Sequence, residues 1–210
     1  MAGTRSKEDF KNDNYNDHYR NHKFEPIAES NNAHRILARV GWAMDFVENN
    51  DVKTVLDLGC LDGYTLLTLA HHYGITGTGV DLSEEGIQIA RERSGEGLNF
   101  VNTSIEDYLS STDEKFDLII MFEVIEHVLD PKDITDMMEN LLAPGGSVMI
   151  TTPDYDGAYG KANYDPLHVR IYTSKPNHFS KDAIPIESII PKGKKGQELF
   201  VNDGLIQLRY

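Results

Sequence analysis

From about Ser30 to Asn49, the residues Ile36, Leu37, Val40, Ala43, Met44 and Val47 recur at spacings of three and four, the apolar stripe of a helix. Ser30, Asn31 and Asn32 offer side-chain acceptors for its first turn. From Lys53 the period changes. Short apolar runs now alternate with polar turns and helical stretches: TVLDLG reads as a strand, TLLTLAHHYG as a helix closed by Gly74, TGTGVDL as a strand and SEEGIQIARERSG as a helix. LNFVNTS and FDLIIMF read as further strands. The stretch from about Ile125 to Leu142 reads as helical, with Pro131 admissible only in its first turns or as a break, because proline lacks an amide donor and crowds the preceding turn. GGSVMITTP is a strand after a Pro144–Gly145–Gly146 turn. Strands alternating with helices predict a Rossmann-like, doubly wound α/β fold with a mainly parallel sheet, since parallel neighbours need right-handed crossovers.

Outside this core the pattern weakens. Residues 1–29, rich in Asn, Asp, His and Tyr, read as an N-terminal arm with one short helix, and residues 30–210 as a single α/β domain. After Pro153 the segment at about 154–180 is polar and aromatic and follows the carboxyl end of a strand, where open α/β sheets bind ligands, so it reads as a lid or substrate loop. IPIESIIP and GLIQLRY, with the Lys-rich PKGKKG between them, read as a terminal antiparallel hairpin at the sheet edge.

Charge narrows the partners. Twenty Lys and Arg against 34 Asp and Glu give a net charge of −14, a field that repels phosphate backbones and anionic lipid, so nucleic acid and membrane surfaces are disfavoured. A single Cys excludes an internal disulfide and a Cys-rich zinc site, and the chain reads as a protein of a reducing compartment. No run of 18 apolar residues exists and MAGTRSKEDF is polar, so the cytoplasm is the expected location.

The strongest local signal is Val55-Leu56-Asp57-Leu58-Gly59-Cys60-Leu61-Asp62-Gly63-Tyr64, a strand running through a glycine-containing turn into a helix. Glycine lets backbone approach a ligand with no Cβ in the way. A dinucleotide would set its pyrophosphate at this turn, where Asp57 would repel it. S-adenosylmethionine has no phosphate and carries an ammonium and a sulfonium, so acidic neighbours favour it. Asp81 ends the next predicted strand, where a carboxylate accepts from ribose hydroxyls in nucleotide folds. FDLIIM ends at Phe122 and Glu123 on the same expected sheet edge.

This constellation resembles the class I S-adenosylmethionine-dependent methyltransferases from about Thr54 to Thr173: VLDLGCLDG for the glycine motif, GTGVDLS for the ribose-binding acid, FDLIIMFEVIEHV for the fourth strand, and LLAPGGSVMITTP for the turn and fifth strand. The resemblance implies that Asp57, Gly59, Cys60 and Gly63 form the loop around the methionine part of S-adenosylmethionine, whose product is S-adenosylhomocysteine. It implies that Asp81 holds the ribose with Leu82 beside the adenine, that Ser104 and Ile105 lie at the adenine, and that Phe122 gives a backbone contact near the sulfonium. Two departures stand out. Leu61 occupies a position where the family usually has Gly, so the loop is expected to keep a negative φ there or to bulge. Ser104 stands where the family commonly has Asp. Cys60 also reads as a small packing residue.

FEVIEHV places Glu123, Glu126 and His127 at i, i+3 and i+4, on one face if the turn is helical. Packing and capping account for such residues in many proteins. Two functional readings compete with that. In one, His127 is a general base for an attacking hydroxyl or amine, aided by Glu123 and by His168. In the other, Glu123, Glu126, His127 and His168 hold a divalent ion, similar to the small-RNA 3′-terminal 2′-O-methyltransferases. Methyltransferases of quinone precursors and other small molecules also resemble EVIEHV followed by a later His, without a metal. Tyr155, Tyr159, Tyr164 and Tyr172, with Lys161 and Arg170, populate the expected lid, Tyr15 and Tyr19 lie in the arm, and Lys192, Lys194 and Lys195 read as a solvated turn. The expected function is therefore methyl transfer from S-adenosylmethionine to an oxygen or nitrogen of a small-molecule acceptor. The alternatives are a metal-dependent RNA 2′-O-methyltransferase and a non-catalytic binding module that keeps the fold.

Overall fold

A computed structural model describes residues 33–154, 168–173, 183–189, 198–202 and 205–209. Within these the chain forms two compact units: residues 33–120 with 141–146, and residues 121–140 with the described residues from 147 onward. The arm at 1–29, the caps at Ser30, Asn31 and Asn32, residues 155–167 and 174–180 of the lid, and the lysines 192, 194 and 195 lie outside the described residues. So do Tyr15, Tyr19, Tyr155, Tyr159, Lys161 and Tyr164.

In the first unit the helical stripe becomes α1, Ala33–Asn49, which buries Val40, Ala43, Phe46 and Val47 and packs on α2, Tyr64–Tyr73. Gly74 closes α2 in a left-handed conformation, its amide bonded to the Ala70 carbonyl. The strands are β1 Thr54–Leu58, β2 Thr76–Asp81, β3 Leu98–Asn102 and β4 Phe116–Phe122, ordered β3-β2-β1-β4. The pairs β1–β2 and β2–β3 are parallel, with Leu58 opposite Val80 and Asp81 opposite Asn102. Asp117 fastens the amino end of β1: its Oδ2 accepts from the Lys53 and Thr54 amides at 2.8 and 2.9 Å. Helix α3, Glu84–Arg93, carries every terminal signal at once, with the Ser83 hydroxyl accepting from the Gly86 amide, acids in the first turn and arginines in the last. Val55, Leu56, Leu66, Val80 and Leu118 are fully buried between the layers.

A short helix α4, Ile105–Ser111, follows β3. It was not visible as a period, because seven residues show barely two turns of stripe.

The second unit takes up the end of β4, and here the expectations need correction. The helix expected from Ile125 to Leu142 breaks: a 3-10 turn covers Ile125–His127, and α5 starts at Pro131, where the missing amide is harmless, and ends at Asn140. Strand β5 runs Leu142–Pro153, straight through the expected Pro144–Gly145–Gly146 turn. Gly145, at φ 83, absorbs the irregularity without ending the strand.

The hairpin is also reassigned. IPIESIIP does not join it: β7, Ala183–Pro185, pairs in parallel with β6, Ile171–Thr173, and continues as a 3-10 turn at Ile186–Ile189. The hairpin is β8, Glu198–Asn202, with β9, Leu205–Arg209, and β9 lies antiparallel along β5 from Met149 to Pro153. No helix among the described residues is long and apolar enough to cross a membrane.

Candidate functional site

The loop leaving β1 is held from below by β2. Gly59 and Cys60 both donate their amides to the Val80 carbonyl, at 2.8 and 3.1 Å, and the Gly63 amide closes onto the Cys60 carbonyl at 2.8 Å. Gly63 has φ 72, and a Cβ there would sit 2.6 Å from a ring carbon of Phe100, so glycine is required by conformation and by space. Leu61 corrects the sequence reading: it takes φ 49, the left-handed region, and not a negative φ. Its amide donates to Asp81 Oδ2 at 2.9 Å, and its carbonyl lies where a Cβ on Gly86 would come within 2.8 Å. These contacts hold a leucine in a conformation that costs about 1–2 kcal/mol.

Asp57, Asp62 and Asp81 meet at this loop, and they are neutralised unequally. Asp81 accepts from the Leu61 amide on Oδ2 and from the Ser83 amide on Oδ1, the latter at 2.8 Å. A carboxylate has about four lone-pair sites, so the two amides fix its plane while using one site on each oxygen. Asp62, 5% exposed, pairs with Arg93 at 2.8 Å. Asp57 is 3% exposed, and its Oδ2 has no hydrogen-bond partner among the described residues. Burial, followed by the negative charges of Asp81 and Asp62, pushes the Asp57 carboxyl up to about 7. Burial and then Asp57 likewise hold the Cys60 thiol well above its usual range, which makes it a packing group beneath the loop and not a nucleophile.

The other residues that the resemblance assigns to the cofactor have duties of their own in the fold. Leu82 is half-buried beside Asp81. The Ser104 hydroxyl accepts from the Asp107 amide at 3.1 Å as the N-cap of α4, and Ile105 begins that helix. A helix cap is thus a structural duty for the serine that the sequence assigned to a ligand.

In the second unit the helical face expected for Glu123, Glu126 and His127 does not form. Glu123 sits at φ 56 in the left-handed region. Its amide donates to the Thr151 carbonyl at 3.0 Å, and its Oε1 accepts from the Thr151 hydroxyl at 2.9 Å. Phe122 precedes it, half-buried at the end of β4. Glu126 turns inward instead: it is 2% exposed, and its Oε2 accepts from the Thr152 hydroxyl at 3.0 Å.

The Glu126 carbonyl also accepts from the amides of Val169 and Arg170, at 2.9 and 3.1 Å. That clamp draws the distant His168 onto His127, with ring centroids 4.9 Å apart and planes at 71°. One ligand atom each from Glu126, His127 and His168 lie within 4.8 Å of one another. Glu123 is not part of that group, so the structure gathers three of the four residues proposed from sequence.

Thr151 and Thr152 were missed in the sequence. Their signal was a pair of hydroxyls at the end of an otherwise apolar strand, which burial requires to be hydrogen-bonded. Tyr172, expected in the lid, is instead a strand residue of β6, 1% exposed, with no hydrogen-bond partner for its hydroxyl among the described residues. Burial raises its pKa, Arg170 opposes the rise and Glu126 adds to it.

Comparison with known proteins bears on the family and the fold. Ubiquinone biosynthesis O-methyltransferase of Klebsiella pneumoniae is 31% identical over 153 residues, covering 67% of this chain and 63% of that protein. The protein of that name from Thiobacillus denitrificans is 33% identical over 135 residues, covering 63% and 55%. The chain thus spans less than two thirds of these relatives' length. Among solved structures, N-methyltransferase NodS from Bradyrhizobium japonicum matches with TM-score 0.54 at 21% identity, covering 84% of this chain and 92% of that one. A SAM dependent methyltransferase from Archaeoglobus fulgidus matches with TM-score 0.55 at 24% identity, covering 64% and 60%. Both show the Rossmann-like α/β fold. The family pattern described as a methyltransferase domain matches residues 21–184, most of the 210, and the chain belongs to the class I S-adenosylmethionine-dependent methyltransferase family.

Proposed function

We propose that this protein is an S-adenosylmethionine-dependent methyltransferase acting on an oxygen or nitrogen of a small-molecule acceptor. The observation that carries the reading is the glycine loop of the first unit. Asp81 is oriented there by two amides, and Asp57 is a buried carboxyl whose Oδ2 lacks a donor among the described residues. Such a loop repels a diphosphate and suits a phosphate-free nucleoside bearing positive charge. Asp81 would receive ribose hydroxyls, Asp57 would face the charged part, and Gly59 and Gly63 would let the backbone close around it. When bound, the cofactor supplies an electrophilic methyl group, and transfer by in-line displacement needs no covalent enzyme intermediate.

In the second unit His127 would take the proton of the attacking hydroxyl or amine. Glu126, held by Thr152, would orient the imidazole, with His168 beside it. The O-methyltransferase names of the relatives support an oxygen acceptor. The net charge of −14 supports a small acceptor over an RNA. A second reading, in which Glu126, His127 and His168 hold a divalent ion that engages the acceptor, is favoured by their grouping within 4.8 Å.

Calorimetry with S-adenosylmethionine, followed by transfer of labelled methyl to a panel of phenols, catechols and amines, tests the proposal. Asp81→Ala should weaken binding, whereas His127→Ala should lower turnover with binding intact. A protein that binds no S-adenosylmethionine is not this enzyme. Loss of transfer in EDTA, restored by Mn²⁺, would select the metal reading, and transfer unchanged by EDTA would select the metal-free one.

A further inference from the structure

We propose that the Tyr172 hydroxyl and the Arg170 Nε–H, two donors beside the histidines of the second unit, form a subsite that holds a carboxylate of the acceptor. This rests on the functional reading above and names the class of acceptor for that same site. Both polar atoms are buried, and neither has a hydrogen-bond partner among the described residues. Tyr172, on β6, is 1% exposed. Arg170 precedes it by two residues and is fixed at both ends: its amide donates to the Glu126 carbonyl at 3.1 Å, and its Nη2 donates to the Leu129 carbonyl. The same Glu126 carbonyl, through the Val169 amide, seats His168 against His127. One backbone clamp therefore brings the donor pair and the imidazoles to the same place.

Chemistry narrows the occupant. A guanidinium Nε–H can only donate. Burial, opposed by Arg170 and reinforced by Glu126, keeps the Tyr172 phenol protonated, so at neutral pH it has a proton to donate as well. Folding removes both groups from water and gives them no acceptor in return, an imbalance that a ligand oxygen restores. Glu126 faces the phenol but stays beyond bonding reach of it, and its Oε2 is taken by the Thr152 hydroxyl. Two neighbouring donors, one of them on a positively charged group, match the two oxygens of a carboxylate better than a single neutral hydroxyl. An ammonium group brings donors where acceptors are needed. The net charge of −14 opposes anions at long range, and Glu126 does so within the cluster; Arg170 is a fixed cation that offsets them.

The test is titration calorimetry of the whole chain, with S-adenosylhomocysteine present, using ortho-, meta- and para-hydroxybenzoate and protocatechuate, each against its uncharged amide. At least one acid should bind about tenfold or more tightly than its amide, the increment expected of hydrogen bonds to a charged group. Tyr172→Phe should cut that preference to about twofold or less. Arg170→Lys, which keeps the charge and loses the Nε–H, should cut it too. With labelled S-adenosylmethionine, Tyr172→Phe should raise KM for that acid while kcat holds, because the pair grips a part of the acceptor that does not react. In urea, Tyr172→Phe should unfold at the same concentration as the parent or a higher one, since it loses a hydroxyl that the fold leaves without an acceptor. A lower midpoint for Tyr172→Phe, or a preference for the acid that survives in it, overturns the subsite. Amides that bind as well as the acids, or binding of none of these compounds by a chain that does bind S-adenosylmethionine, overturn the subsite and leave the methyltransferase reading standing. A chain that binds no S-adenosylmethionine overturns that reading, and the subsite with it.

Discussion

Replacing Asp57 by Asn removes a buried group that ionises and keeps its shape, and the consequence for the ligand-free protein can be worked from the structure. The carboxyl lies at about 7 when folded, against an ordinary value of 3.8. A folded value raised above the unfolded one means that the group adds stability which is fully present below about pH 4 and is lost as pH rises through about 7. The whole gap corresponds to about 4 kcal/mol at about 1.36 kcal/mol per pH unit. About 2–3 kcal/mol of it falls between pH 5 and pH 8. Asp57→Asn abolishes this slope, so the variant should gain about 2–3 kcal/mol over the parent protein across that interval. Urea unfolding of both proteins at several pH values measures the difference, and taking the difference cancels the titration of groups they share. At a denaturant sensitivity of about 2 kcal/mol per molar, the relative midpoint should move by roughly 1 M. A difference that stays constant from pH 5 to pH 8 would show that Asp57 is ionised throughout. The claim that burial and the neighbouring acids leave it uncompensated would then fall.

The remaining predictions concern the same loop and the buried hydroxyl behind the histidines. Gly63→Ala should lose about 2–4 kcal/mol, from a left-handed φ together with the Cβ pressed against Phe100, and Gly63→Ala/Phe100→Leu should recover only the steric part in urea melts. At position 61 the usual order of residues should invert: Leu61→Gly should be about 1 kcal/mol more stable than Leu61→Ala by thermal unfolding, because φ 49 suits only the residue without a Cβ. An Ala variant equal to or better than the Gly one would mean that the left-handed turn is absent in solution. Thr152→Val should cost about 1–3 kcal/mol by leaving the buried Glu126 Oε2 without its hydroxyl donor, and Thr152→Ser should restore most of it, both read in urea. Equal stability of the Val and Ser variants would refute that hydrogen bond.

Much of this protein was written in local patterns. The period-three-and-four stripe gave α1, the alternation of apolar runs with helices gave β1 to β4 with α2 and α3, and Gly74 marked a helix end through a cap that acts within one turn. The glycine motif and the two acids at Asp57 and Asp81 were legible for the same reason, since a strand-turn-helix junction is a local event. What failed was whatever depended on a partner far along the chain. Which β-prone run would join the hairpin was settled by pairing with β5, not by propensity. The helical face imagined for Glu123, Glu126 and His127 gave way because Thr151 holds Glu123 by backbone and side chain together.

The sequence by itself determined the alternating architecture and the presence of acids at the first glycine turn, because short-range spacing carries those, and its four motifs together carried the resemblance to the family. Only the tertiary structure decided what each acid does there. Asp81 has its amides, Asp62 has Arg93, and Asp57 has no donor on Oδ2 among the described residues, because compensation of a buried charge is a matter of which groups lie within about 3 Å, and residues distant in sequence set that distance.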